Sequence, residues 1–145
     1  MGKNLVARAS TSIDAPNNKV WRALVTPEAI REYMFGAKVV SDWHEGSPIR
    51  WKGNWRGRDY EDKGKILAFR PERTLQYTHY SPLSGEPDAP ESYHTVTIEL
   101  SEGDAPTTVS LTQDNNPSEE AREHSEQNWG IMLAGLKDFV EKKSG

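Results

Sequence analysis

The sequence predicts an α+β fold, a curved antiparallel β-sheet wrapped around one long C-terminal α-helix, with two short helices after the first strand. Three observations carry this reading. Six strand-like runs follow one another between residues 37 and 112, and Trp129, Met132, Leu133, Leu136, Phe139 and Val140 recur as one apolar stripe at helical spacing. Only two short helical patterns precede those runs, too few for the crossovers that parallel pairing would require. A sheet with one apolar face and a helix with one apolar stripe each need a covering partner, and each can serve the other.

The elements follow in order. Leu5 to Ile13 alternates imperfectly, with Leu5, Ala7, Ala9 and Ile13 to one side, and reads as a strand. Pro16 suits a first helical turn, and Val20, Trp21 and Leu24 mark the inner side of a helix over Pro16 to Leu24. Thr26-Pro27 is a second start signal, its threonine a side-chain cap, opening a helix over Pro27 to Tyr33. Beyond Gly36 the period becomes extended. Ala37 to Trp43 and Ile49 to Trp55 form a hairpin turning near Glu45-Gly46, and Tyr60 to Phe69, Thr74 to Tyr80, Tyr93 to Leu100 and Thr107 to Thr112 are further strands. Ser81 to Glu91 carries three prolines and reads as a loop. The last helix is expected over Pro117 to Lys142, with Asn116 as its capping side chain and Glu119 bonding back to the cap. Glutamates crowd its start and lysines its end, as the helix dipole favours.

Composition limits function. The 145 residues are expected to form a single domain, residues 1–145, and five Trp and five Tyr give it an aromatic interior. No cysteine means no disulfide, thiolate zinc site or cysteine nucleophile. The chain has no apolar run of membrane-spanning length and its first ten residues lack a signal-peptide core, so a cytoplasmic location without membrane insertion is expected. A net charge of −4 gives no general attraction to nucleic acid. Arg50, Lys52, Arg56 and Arg58 lie beside aromatics, but a solvated outer strand face explains them, and no nucleic-acid partner is expected. The four histidines show no metal-ligand spacing, so neither metal nor cofactor is expected.

Several segments, taken together, resemble one family. They are Ile13-Asp14-Ala15-Pro16 with Val20-Trp21-Arg22-Ala23-Leu24, Thr26-Pro27-Glu28-Ala29-Ile30, Gly64-Lys65-Ile66 followed by Pro71-Glu72-Arg73-Thr74-Leu75, and Asn128-Trp129-Gly130 with Leu133 and Leu136. Their order resembles the START-like or Bet v 1-like (SRPBCC) superfamily, and within it the family homologous to the C-terminal domain of the activator of the 90-kDa heat-shock protein ATPase. That resemblance implies a helix-grip fold with a cavity between sheet and long helix, and a connection to the stress response. The superfamily includes carriers, cyclase-like enzymes, receptors and chaperone activators, so fold alone does not choose among them.

The candidate site is read onto that cavity. Tyr77 and His79 share one strand face, and His94 shares a face with Val96 and Ile98; two roles are open to the three, rim or satisfied packing, or ligand contact. Trp51 and Trp55 either frame a pocket or fill the core. Ser125 and Asn128 lie on the less apolar first half of the last helix, where a wetter opening is expected, and Met34 and Phe35 stand near the second helix as entrance residues. No nucleophile with its base can be assembled, so no catalytic residue is assigned. The leading expectation is a noncatalytic carrier or sensor of a small apolar or aromatic molecule. The alternatives are a cochaperone acting on a heat-shock ATPase and a cyclase-like enzyme on a cyclic or polyketide-like substrate.

Overall fold

The computed structural model describes residues 5–34, 36–55, 57–81, 87–101, 105–116 and 118–143. The chain order is β1 (Leu5–Ile13), α1 (Asn17–Val25), α2 (Pro27–Tyr33), β2 (Lys38–Ser41), β3 (Pro48–Trp55), β4 (Arg58–Arg70), β5 (Thr74–His79), β6 (His94–Leu100), β7 (Thr107–Asn116) and α3 (Glu119–Lys143). All seven strands join one antiparallel sheet in the order β1-β7-β6-β5-β4-β3-β2. The chain thus pairs neighbours from β2 to β7, then carries β1 onto the far side of β7. Gly46, at φ +87°, allows the tight turn between β2 and β3 that the sequence places there.

The predicted periodicities appear as buried faces. Ile66 on β4, Leu75 and Tyr77 on β5, Val96, Ile98 and Leu100 on β6 and Val109 and Leu111 on β7 all point into the core. Met132, Leu133, Leu136 and Val140 of α3 meet them, with Leu136 fully buried, while Trp129 and Phe139 are half-buried at the margins of the same stripe. On the other side Val20, Trp21, Leu24, Ile30 and Tyr33 from α1 and α2 complete the cluster.

Two expected caps are made differently. Asn116 does not cap α3: it is buried as the last residue of β7, where its amide nitrogen donates to the carbonyls of Leu5 (2.9 Å) and Gln113 (3.0 Å). Ser118 takes the capping role, its Oγ accepting the Ala121 amide at 3.1 Å. The Thr26 side chain likewise makes no cap; its carbonyl accepts the amides of Ala29 and Ile30. β7 also runs four residues past the expected Thr112, because Gln113 and Asn116 are buried polar residues that the apolar alternation did not flag.

β1 is an edge strand, and α3 covers its open side. The Arg8 amide donates to Glu126 Oε2 at 3.0 Å and the Asp14 amide to Glu141 Oε2 at 2.9 Å, while Lys137 Nζ donates to the Ser12 carbonyl at 2.8 Å. Helix side chains thereby supply the partners a further strand would have given. Glu126 is held below the ordinary carboxylate range by the Arg8 amide and then by Arg122; Glu141 is held low by the Asp14 amide and then by Lys137.

Two predictions follow from this seating of α3. Leu136→Ala should destabilise the protein by about 2–5 kcal/mol in urea unfolding, and a loss under about 0.5 kcal/mol would place Leu136 outside the core. Because the folded forms of Glu126 and Glu141 hold their protons less tightly than the unfolded chain, the stability they contribute is present above about pH 4.5 and is lost as pH falls through their lowered values. The Glu126→Gln, Glu141→Gln double variant should therefore be less stable than wild type at pH 7, with the gap narrowing as pH falls below about 4.5. A gap that stays constant with pH would show that the carboxylate charges do not hold β1.

Candidate functional site

The β5–β6 ladder changes chemistry within three rungs on its inner face. Leu75 lies opposite Ile98, Tyr77 opposite Val96, and His79 opposite His94. The apolar rungs lie in the core, and the histidine rung opens on a cleft between the sheet and the first turns of α3. The expectation that Tyr77, His79 and His94 share a face across the long loop agrees with this register.

At the apolar end the side chains close on one another. Met34, Trp51 and Tyr77, with Trp43, Ile49 and Met132 among their neighbours, surround a void of only about 20 Å³, room for about one water. Burial pushes the Tyr77 hydroxyl well above its usual range, and burial together with Tyr77 does the same for Tyr33, whose hydroxyl donates to the Ala23 carbonyl at 2.9 Å. Both phenols stay neutral in a packed interior.

At the polar end lies a cleft of about 660 Å³, bordered by His79, His94, Gln113, Glu91, His124 and Ser125 among others. Its volume fits a small molecule. The residues that border it, however, are polar types apart from Ala121 rather than the aromatic and aliphatic ones the sequence suggested, because the inner face turns from Tyr77 and Val96 to His79 and His94 before it reaches the opening.

Each polar group at the inner end of this cleft is held from behind. His79 Nε2 lies 2.9 Å from Asp62 Oδ2, and the Trp51 ring stands edge-on to the imidazole with centroids 5.0 Å apart. Asp62 lies opposite Trp51 in the β3–β4 pairing, and its Oδ1 is buried without a hydrogen-bond partner. Gly64 makes the approach of β4 to β5 possible here, since a Cβ on it would lie 1.7 Å from the Thr78 carbonyl oxygen. His94 Nδ1 lies 2.9 Å from the Asp114 carbonyl. A carbonyl only accepts, so Nδ1 of His94 carries the proton and Nε2 keeps its lone pair; with Asp62 ionised, Nε2 of His79 carries the proton and Nδ1 keeps its lone pair. On the helix side Ser125 Oγ donates to Asn116 Oδ1 at 3.0 Å and Trp129 Nε1 donates to Gln113 Oε1, leaving the Gln113 amide nitrogen as a donor.

The sequence-derived site therefore divides. Met34, Trp51 and Tyr77 line the small void, whereas His79, His94 and Ser125 border the cleft. Asn128 is exposed on α3 and does not border it. Phe35 and the Trp55 side chain lie outside the described residues. Sequence reasoning missed Asp62, Gln113 and Asn116. Asp62 stands at an inward position of β4, two residues from Gly64 and four from Ile66, and a charged residue in that phase was the available signal. Among the described residues no group of three or more His, Asp or Glu is placed to hold a metal.

A second concavity, about 450 Å³, lies between α1, α2 and the end of α3. Phe139 and Ala23 contribute its apolar surface, Lys19 and Arg22 border it from α1, and Glu28 and Glu32 from α2. On the outer sheet face, Arg50 pairs with Glu61 at 2.6 Å and Lys52 approaches the same carboxylate at 3.9 Å. Among the described residues no helix is long and apolar enough to cross a membrane.

A curved antiparallel sheet gripping a long terminal helix, with an opening between them, defines the SRPBCC helix-grip class. The family model described as "Activator of Hsp90 ATPase homolog 1-like protein" matches residues 14–141, and the chain belongs to that family. The solution structure of ChR145 from Cytophaga hutchinsonii is 57% identical, with a TM-score of 0.86 and 99% of each chain covered. The Aha1 dimer from Colwellia psychrerythraea is 21% identical, with a TM-score of 0.73, covering 97% of this chain and 98% of that one. NE0264 from Nitrosomonas europaea is 20% identical, with a TM-score of 0.76, covering 97% and 96%. The last two likenesses speak for the fold alone. A comparison with curated proteins returns no match.

Proposed function

We propose that the protein binds a small molecule in the cleft between β5, β6, β7 and the first half of α3, as a carrier or sensor. The observation that carries this reading is the contrast in room: about 660 Å³ beside His79 and His94, against about 20 Å³ in the apolar interior. The occupant meets imidazole and amide groups directly and touches the aromatic core only through His79, so the ligand is amphipathic rather than purely apolar. The test is a titration followed by amide and imidazole NMR signals, using small hydroxylated, aromatic and aliphatic compounds. Binding should move signals of His79, His94, Gln113 and Ser125. Saturable shifts confined to Trp51, Tyr77 and Met132 would transfer the site to the core and overturn this placement.

Membership of the family described by Hsp90 ATPase activation favours a second reading, a cochaperone-like contact with a heat-shock ATPase. The trough between α1, α2 and α3 suits such a contact, since an apolar strip flanked by Lys19 and Arg22 on one side and Glu28 and Glu32 on the other resembles the rim and centre of a protein interface. On this reading, capture of the ATPase and stimulation of its turnover should be lost in Lys19→Glu, Arg22→Glu and kept in His94→Phe. Stimulation lost in His94→Phe and kept in the trough variant would contradict it.

A further inference from the structure

The paired imidazoles carry the cleft reading further, to the kind of ligand and to a reaction step. His79 and His94 occupy directly opposed positions on adjacent antiparallel strands, where side chains leave the backbone about 5 Å apart. Both border the same cleft, and each has one ring nitrogen tied by a residue that does not border it, His79 Nε2 by Asp62 and His94 Nδ1 by the Asp114 carbonyl. Each imidazole thus has one remaining lone pair, at His79 Nδ1 and His94 Nε2. Acceptors on two directly opposed residues suit a ligand with two donors close together, and the Gln113 amide nitrogen adds a donor for an acceptor on the same molecule.

The two histidines differ in what stands behind them. A neutral carbonyl supports His94, whereas a carboxylate supports His79, and that carboxylate has no other hydrogen bond: Asp62 Oδ1 is buried without a partner. The negative charge of Asp62 is therefore directed onto a single imidazole, the arrangement that stabilises an imidazolium when a proton arrives on the opposite nitrogen. The other charges around the cleft are Glu91 and Glu120, which are exposed to water and screened by it, with His124 on the helix side.

Resting on the cleft as the binding site, we infer that the ligand is a small molecule with two adjacent hydroxyl groups, at least one of them weakly acidic as in a catechol, and that the Asp62–His79 pair accepts its proton. In this step the ligand O–H bond breaks and an N–H bond forms at His79 Nδ1. The electron pair stays on the ligand oxygen, and Asp62 remains ionised to balance the imidazolium. His94 Nε2 accepts the hydrogen bond of the second hydroxyl. No further reactant is needed.

The probe is 4-nitrocatechol, whose ionised form absorbs at longer wavelength, used at a pH where the free compound is mostly neutral. Wild-type protein should raise the ionised band above its level in buffer and shift the His79 and His94 ring signals. Asp62→Asn, shown to be folded by its amide spectrum, should lose the added band, because the charge that balances the imidazolium is gone. His94→Phe should weaken binding roughly three- to tenfold, the loss of one hydrogen bond. On wild type alone, 4-nitroanisole, which has no donor, should bind far more weakly. If nitrocatechol binds in the cleft wholly neutral, or with the same ionised band in Asp62→Asn, or no better than nitroanisole, the inference falls and the cleft stands as a binding site of other chemistry. If neither probe nor any compound in the titration series shifts a cleft signal, both fall together.

Discussion

The seating of α3 on the concave sheet is the constraint from which the rest follows. One helix has to cover a surface that is apolar at one end and polar at the other, and α3 changes along its length to match. Leu133 and Leu136 fill the apolar end. Trp129 stands at the transition, half-buried, with its indole nitrogen bonded to Gln113, and Ser125 at the polar end is tied to Asn116. Glu126 and Glu141 then fasten the same helix to the open edge of β1. The apolar contacts supply most of the driving force, while these directional bonds fix the position of the helix along and across the sheet.

This gradient decides where a ligand has room. In the apolar half, the tryptophans and tyrosines that suggested a hydrophobic pocket occupy the space themselves: Trp51 lies against both Tyr77 and His79, at centroid separations of 5.1 and 5.0 Å. Large aromatic rings close a core efficiently, so their abundance measures how the interior is filled rather than how much of it is empty. In the polar half, His79 is held by Asp62, His94 by the Asp114 carbonyl, Gln113 by Trp129 and Asn116 by Ser125, and side chains committed to those bonds leave a cleft beside them. Polar groups left facing such a cleft retain donors and acceptors for something else.

Most of the architecture was legible in the sequence because it depends on period. The alternation of Val96, Ile98 and Leu100, and the stripe from Trp129 to Val140, specify which faces are buried and hence what covers what. The boundaries that failed were set by polar residues with long-range partners. Asn116 resembles a helix cap when only its neighbours are considered, but Leu5, distant in sequence, recruits its amide. The site was half legible for the same reason. Alternation brought Tyr77, His79 and His94 to one face, yet it could not distinguish a filled space from an open one, nor pair Asp62 with His79 across two strands. Those depend on side-chain volume and on the β4–β5 approach at Gly64, neither of which has a local signature.

The central claim is that the pairing of β4 with β5 and of β6 with β7 ties one ring nitrogen each of His79 and His94 and leaves the other with its lone pair. Nitrogen-15 NMR of the two imidazoles in the ligand-free protein tests it most directly, because protonated and unprotonated ring nitrogens have well-separated shifts. With the neutral rings, the account predicts the proton on Nε2 in His79 and on Nδ1 in His94, each stable to changes elsewhere in the chain. The opposite tautomer at either residue, or rapid averaging between the two forms, would contradict it.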